Sequence, residues 1–182
     1  MHDIGKPLTQ TIDEDGIAHY YHHEEVGYKL ANTALRILRF DNKTIKDITE
    51  LIFYHNAEIS ESPRAVKRWL NKIGERQFDR LLSVKMADVL AKTNNPNRLK
   101  IEHIRSLTRI FEIILLTGQC LSLKDLHVNG DDIIKLGVPQ GKSVGDILNT
   151  LLNLVIDGLL ENEREFLLKE AEVFARYYST KE

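Results

Sequence analysis

The sequence contains a single cysteine, Cys120, among 182 residues, which excludes an intrachain disulfide framework and a cluster of thiolate metal ligands. No uninterrupted apolar run approaches the ~20 residues of a membrane-crossing helix. The opening Met1-His2-Asp3-Ile4-Gly5-Lys6-Pro7 lacks the apolar segment of a signal peptide. These absences predict a cytoplasmic protein with no membrane partner. Only four prolines and ten glycines interrupt the chain, so long stretches run without punctuation. Neither sign of charge dominates, with 25 Lys and Arg against 27 Asp and Glu. At 42% hydrophobic and 29% charged residues, the composition is that of a folded soluble protein. The length suits one full domain or two small ones.

The near-neutral total conceals an asymmetry. Residues 58–109 hold 12 basic side chains against six acidic ones, so the remaining sequence is net acidic by eight. A basic middle between acidic ends creates a local anion-attracting surface, although a solvated helix face is the commoner origin of such charges. Within it, Arg64, Lys67 and Arg68 are candidate contacts to the phosphates of a nucleic acid.

The unpunctuated stretches have helical periodicity, and no alternating strand of convincing length is visible. Val26, Leu30, Ala34 and Leu38 form an i, i+4 stripe over about 24–39. Asp41 or Asn42 suits a cap for a second helix with Ile45, Ile48, Ile52 and His55 along one face. Pro63 suits the first turn of a third, which carries Val66, Trp69 and Leu70. A fourth runs through Phe78, Leu81, Leu82, Lys85, Asp88 and Val89 towards Asn94-Asn95-Pro96. A fifth covers Arg98 to Leu116, with Gly118 past its end. After a seam at 117–121, shorter helices follow, opened by Asn129 or Asp131, by Ser143 and by Asn162. The expected fold is all-α: a helical domain over residues 1–117 and a smaller helical tail over 119–182.

Chemistry concentrates in histidines and carboxylates. Adjacent imidazole and carboxylate ligands, as in His2-Asp3, suit a divalent cation with mixed nitrogen and oxygen coordination. Asp88 lies in the apolar stretch Met86-Ala87-Asp88-Val89-Leu90-Ala91, where an ionised carboxylate is costly without a cation partner. For any one histidine an ordinary core or surface role is the better reading. For the set His2, Asp3, His23, His55 and Asp88, spread over separate helices, a shared site is expected. His19 and His22 are weaker candidates beside it.

The segments HDIGKP, HYYHHEEVGYKLANTALRILRF, LIFYHN and KMADVLA resemble the HD-superfamily domain of bacterial tRNA nucleotidyltransferases (CCA-adding enzymes) and their poly(A) polymerase relatives. The later stretch from Leu121 to Ala171 resembles the C-terminal RNA-contacting region of the same family. The resemblance implies a metal site in which His2 and Asp3 are the paired ligands and Asp88 the distant aspartate. It assigns His23 and His55 to positions that contact a second metal or the substrate phosphate. Lys6, one helical turn past Asp3 if the local backbone is helical, is placed to stabilise charge on a phosphoryl group. The superfamily's first histidine lies upstream of the pair, and no counterpart precedes His2, so an incomplete site for magnesium, manganese, nickel or iron is expected. The nucleotidyl-transferring head, with its Gly-Ser motif and paired carboxylates, also has no counterpart here. Asp13-Glu14-Asp15 falls in a polar loop, and Asp131-Asp132 opens a helix.

Gly137-Val138-Pro139-Gln140-Gly141-Lys142-Ser143 imitates a phosphate-binding P-loop, but it has three residues between its glycines where four are needed, and no preceding strand. Lys142 and Ser143 at a helix start remain candidate phosphate contacts. Trp69, Tyr20-Tyr21 and Tyr177-Tyr178 offer stacking faces, Trp69 being better explained as a core anchor. The reading is therefore the HD and RNA-binding body of a tRNA nucleotidyltransferase or poly(A) polymerase-like protein. Its partners are tRNA or another RNA, and a second copy of the chain in a homodimer. The rivals are a stand-alone HD-type phosphohydrolase, acting as a phosphatase or cyclic-nucleotide phosphodiesterase, and a non-catalytic helical module that positions RNA.

Overall fold

A computed structural model describes residues 1–91 and 97–179, with side chains through Arg176 in the last helix. The described residues are dominated by helices: α1 (Lys6–Thr9), α2 (His23–Ile37), α3 (Asn42–Tyr54), α4 (Pro63–Ile73), α5 (Glu75–Ala91), α6 (Arg98–Leu116), α7 (Gly130–Lys135), α8 (Lys142–Ile156) and α9 (Arg164–Ser179). No helix among them is long and apolar enough to cross a membrane. The fold is mostly helix, as the periodicity indicated. The expected end of the fourth helix at Asn94-Asn95-Pro96 and the Tyr177-Tyr178 side chains lie outside the described residues.

The exception is a small antiparallel hairpin, β1 (Gln10–Ile12) with β2 (Ala18–Tyr20), in which Thr11 faces His19. Three residues per strand are too few for alternation to show in sequence. The turn is built by Asp13, whose carboxylate accepts the backbone N–H groups of Asp15 and Ile17. Gly16 supplies the left-handed residue at φ +78°. The polar loop read from Asp13-Glu14-Asp15 is therefore a hairpin turn.

The described residues form two compact units, one within 1–60 and 73–108 and one within 61–72 and 109–182. The expected seam at 117–121 falls within the second, where Cys120 joins a core with Val128, Ile133, Ile147, Leu151 and Leu167. In the first unit α2 packs on α3, α3 on α5, and α1 on α2.

The buried line of α2 differs from the expected stripe. It runs through His23, Gly27, Ala31 and Leu35, one residue round from Val26, Leu30 and Ala34, which are half-buried. Small residues allow the closest approach, and a reading by hydrophobicity favours the larger neighbours. Gly5 explains the constraint. A Cβ placed there lies 2.0 Å from the His23 carbonyl oxygen and 2.7 Å from the Gly27 nitrogen, so α1 rests backbone to backbone on α2.

Caps fall partly where expected. Asp41 caps α3 by accepting the Thr44 N–H at 2.9 Å. Asn129 and Asp132 form a reciprocal capping box on α7. Ser143, however, lies inside α8, because the helix starts after Gly141 at φ 145°. Asn162 precedes α9 without capping it: its amide donates to the Asp125 carbonyl, and its side-chain oxygen accepts the His127 N–H. Trp69 is half-buried under the Lys72 ammonium, 4.9 Å from the ring centre, while Val66 and Leu70 make the buried face of α4.

In the second unit, the Arg64 and Arg68 guanidinium groups each grip both oxygens of Asp157 at 2.8–2.9 Å. The Arg68 and Arg64 hydrogen bonds hold the Asp157 carboxyl down at about 2. A carboxylate depressed by folding stabilises the fold above its ordinary pKa and loses that contribution as pH falls through the depressed value. Acid titration monitored by circular dichroism should therefore show the native chain more stable than Asp157→Asn above about pH 4. The two curves should converge as pH approaches about 2. Parallel curves throughout would contradict the pairing.

Candidate metal centre

Four elements deliver one cluster to the first unit. His2 and Asp3 precede α1 in a turn closed by Ile4 N–H to the Met1 carbonyl and Lys6 N–H to the Asp3 carbonyl. His23 opens α2, His55 ends α3 as its C-cap, and Asp88 lies on α5. His2 Nε2 stands 3.3 Å from Asp88 Oδ1 and 3.4 Å from Asp3 Oδ2. On the other side of the same carboxylate, Asp3 Oδ1 lies 3.6 Å from His23 Nε2 and 3.7 Å from His55 Nε2. Two ligand-competent groups thus share Asp3: Asp3 with His23 and His55, and Asp3 with His2 and Asp88.

The histidine tautomers are fixed by their other nitrogens. His23 Nδ1 donates to the Tyr20 carbonyl at 2.8 Å, and His55 Nδ1 donates to the Ile52 carbonyl at 2.7 Å. In its neutral form each ring therefore presents its Nε2 lone pair inward, and these two atoms face each other at 3.2 Å. Two lone pairs at that distance repel unless a cation or a proton lies between them. This arrangement fits a divalent ion, because metal-bound histidines carry their second N–H on a carbonyl or carboxylate.

The electrostatics agree with that chemistry. Burial lowers the His55 pKa, opposed by the Ile52 hydrogen bond, and the neighbouring His2 and His23 lower it further. The neutral, ligating form is favoured. Burial pushes the Asp3 carboxyl up, but the Lys6 hydrogen bond and the His2, Lys6 and His55 charges outweigh it and hold the carboxyl below its usual range.

Lys6 Nζ donates to Asp3 Oδ2 at 2.7 Å, one helical turn away as the sequence indicated. His19 and His22 stand apart from the cluster, His19 bonded to Asp13 on the hairpin and His22 beside Glu25.

A cavity of about 450 Å³ adjoins the cluster and shares His55 and Asp88 with it. Its polar lining includes Asn56, Lys85, Lys100 and His103, and Ile59, Val89 and Leu107 make apolar wall. In the sequence Lys85 stood only among the residues of the fourth helix, with no role. The signal was a lysine within an otherwise apolar helix face, three residues before Asp88. Burial lowers its pKa to about 8 against the opposing charges of Asp88 and Glu58.

The candidate RNA-contacting residues form no single patch. Arg64 and Arg68 meet Asp157 at the C-terminal cap of α8, while Lys142 and Ser143 are its first two residues. At 1.5 Å per residue, roughly 20 Å of helix separates these positions.

A helical protein with an inward-facing histidine–aspartate cluster is what fold and site define. The family model for tRNA nucleotidyltransferase domain 2 matches residues 13–171. The chain belongs to the tRNA nucleotidyltransferase family, as the resemblance implied. It is 30% identical over 173 residues to the CC-adding tRNA nucleotidyltransferase of Thermus thermophilus, covering 92% of this chain and 38% of that protein. It is also 43% identical over 56 residues to the CCA-adding enzyme of Limosilactobacillus fermentum, covering 29% of this chain and 14% of that protein. The chain thus spans well under half the length of these curated relatives. No solved structure gives a significant match.

Proposed function

We propose that this chain is the body region of a tRNA nucleotidyltransferase, in which an HD-type metal centre hydrolyses phosphoesters and the second unit holds tRNA. The observation that carries the first half is the pair of Nε2 atoms 3.2 Å apart, with both Nδ1 atoms already committed to carbonyls. A bound divalent cation would supply Lewis acidity and a water acidified towards neutral pH. The donor set of three imidazoles and two carboxylates favours manganese, iron or nickel over magnesium.

The protein groups do the rest. Asp3 turns one oxygen to His23 and His55 and the other to His2, so it is placed to hold two ligand groups in register. Lys6 balances Asp3 and offers its remaining ammonium protons to an anionic oxygen. The adjoining cavity is large enough for the alcohol portion of a phosphoester, with apolar wall for a ring and polar groups at its edge.

Nucleotide addition is not proposed for these residues. In-line transfer needs closely spaced carboxylates on a rigid support to hold two ions. Among the described residues the two strands of the hairpin carry no carboxylate pair. The purified 182-residue chain should therefore incorporate no labelled CTP or ATP into a tRNA lacking its 3′ end. It should hydrolyse p-nitrophenyl phosphate or bis(p-nitrophenyl) phosphate when manganese or nickel is added. Robust incorporation would overturn the exclusion of nucleotide addition, and no hydrolysis with any of the four metals would overturn the metal-centre half. Tight tRNA binding with no hydrolysis would instead favour a module that only positions RNA.

The relatives' names and the basic middle support tRNA as partner. Each single-strand phosphate contact contributes a salt slope of about −0.7. Changing Arg64, Lys67 and Arg68 to Glu should flatten the slope for tRNA by less than the ~2 that three uncommitted contacts give. The reason is that Asp157 already offsets one of the two arginine charges. An unchanged affinity would make this segment a solvated face.

A further inference from the structure

We propose that Lys85 is the positioning residue of the candidate metal centre: its ammonium clamps the backbone on both sides of Asn56 and so fixes the His55 imidazole. This rests on the proposed metal reading only for its consequence for metal affinity. The clamp itself is a matter of geometry.

Lys85 Nζ donates to the His55 carbonyl at 2.9 Å and to the Ala57 carbonyl at 2.6 Å. Both acceptors lie just past α3, where the last carbonyls of a helix have no partner within it. A cation at this end also complements the helix dipole. The turn has its own bond from Ala57 N–H to the Tyr54 carbonyl. The ammonium therefore ties a turn that local bonds only begin to close.

The consequence reaches the ring through the backbone. His55 Nδ1 donates to the Ile52 carbonyl of its own last turn, so the direction of Nε2 follows the backbone of residues 52–55. If the end of α3 unwinds, that bond is lost and Nε2 turns from His23. Lys85 and Asp88 are three residues apart on α5, and therefore on one helix face. One helix thus delivers a candidate ligand to the cluster and the clamp that orients another. Partners of this kind, which orient metal ligands without touching the ion, change affinity by roughly 10–100-fold when removed.

The test uses the full chain with Lys85→Met, which keeps the apolar stem and removes the donors. Two readouts separate positioning from simple stability. In metal-free protein, long-range ¹H–¹⁵N spectra of the imidazoles should show His55 as a single tautomer protonated at Nδ1 in the wild type. In Lys85→Met the tautomers should average, with helical circular dichroism retained. Cobalt titration followed by its visible absorption should show affinity falling at least tenfold. Lys85→Gln, which keeps an amide donor, should give a smaller change in both readouts and serves if the methionine variant does not fold. A His55 tautomer unchanged in the folded variants would overturn the proposal. Wild-type protein that binds no cobalt would overturn the metal reading alone, leaving the clamp to be decided by the His55 spectrum.

Discussion

Asp3→Ala should abolish divalent-metal binding and any metal-dependent phosphoester hydrolysis, while leaving the fold intact. Asp3 is the one residue common to both ligand-competent groups. Its removal takes an oxygen from each at once, and it frees Lys6 Nζ from its 2.7 Å partner. The resulting centre would gain positive charge where it must hold a cation. The loss in affinity should therefore exceed the ~100-fold upper range for removing an outer partner of a metal ligand. Asp88→Ala takes only the group shared with His2 and should leave measurable binding by Asp3, His23 and His55. Isothermal titration with manganese on the two variants checks the order. Equal, wild-type-like binding by Asp3→Ala would rule out a carboxylate shared between the groups.

The second large effect belongs to a residue with no polar side chain. Gly5→Ala places a methyl group 2.0 Å from the His23 carbonyl oxygen, and both nearest neighbours are backbone atoms. Neither can yield as a side chain would. The segment bearing His2, Asp3 and Lys6 must move off α2, carrying one half of the cluster from the other. Overpacking of this sort typically costs about 1–3 kcal/mol. The expected result is a modest fall in thermal stability with metal binding lost entirely. A substitution that lowers stability but leaves metal affinity unchanged would show that the N-terminal turn is not held by this contact. Ser is no remedy here, since its Cβ meets the same atoms.

Much of this site was legible because ligand chemistry restricts residue type. His2, Asp3, His23, His55 and Asp88 stood out as imidazoles and carboxylates in separate segments of the chain, and they converge in space. The two hydrogen bonds that fix the imidazole tautomers were not legible, because their acceptors are the backbone carbonyls of Tyr20 and Ile52. Any residue type supplies a carbonyl. For the same reason Lys85 read only as one residue of the fourth helix.

The fold divides similarly. Long periodic helices such as α3 and α6 were visible from their apolar rows, and Asp41 from its capping chemistry. The register of α2 was not, because its buried line runs through Gly27 and Ala31, whose value lies in being small. Ser143 and Asn162 have the right chemistry for caps, but Gly141 starts one helix early and Asn162 bridges two loop backbones instead. Local preference yields there to a nonlocal hydrogen bond. Arg64 and Arg68 read as free charge, and only the fold brings Asp157, 89 or more positions along the chain, between them.

His2, Asp3, His23, His55 and Asp88 are proposed above as one divalent-metal centre. Its most direct test is anomalous diffraction from crystals of the chain soaked in manganese. A peak is expected within coordination distance of Asp3 and both Nε2 atoms of His23 and His55, about 2.0–2.3 Å. Clean anomalous maps with no peak there, and with His23 Nε2 still beside His55 Nε2, would contradict it.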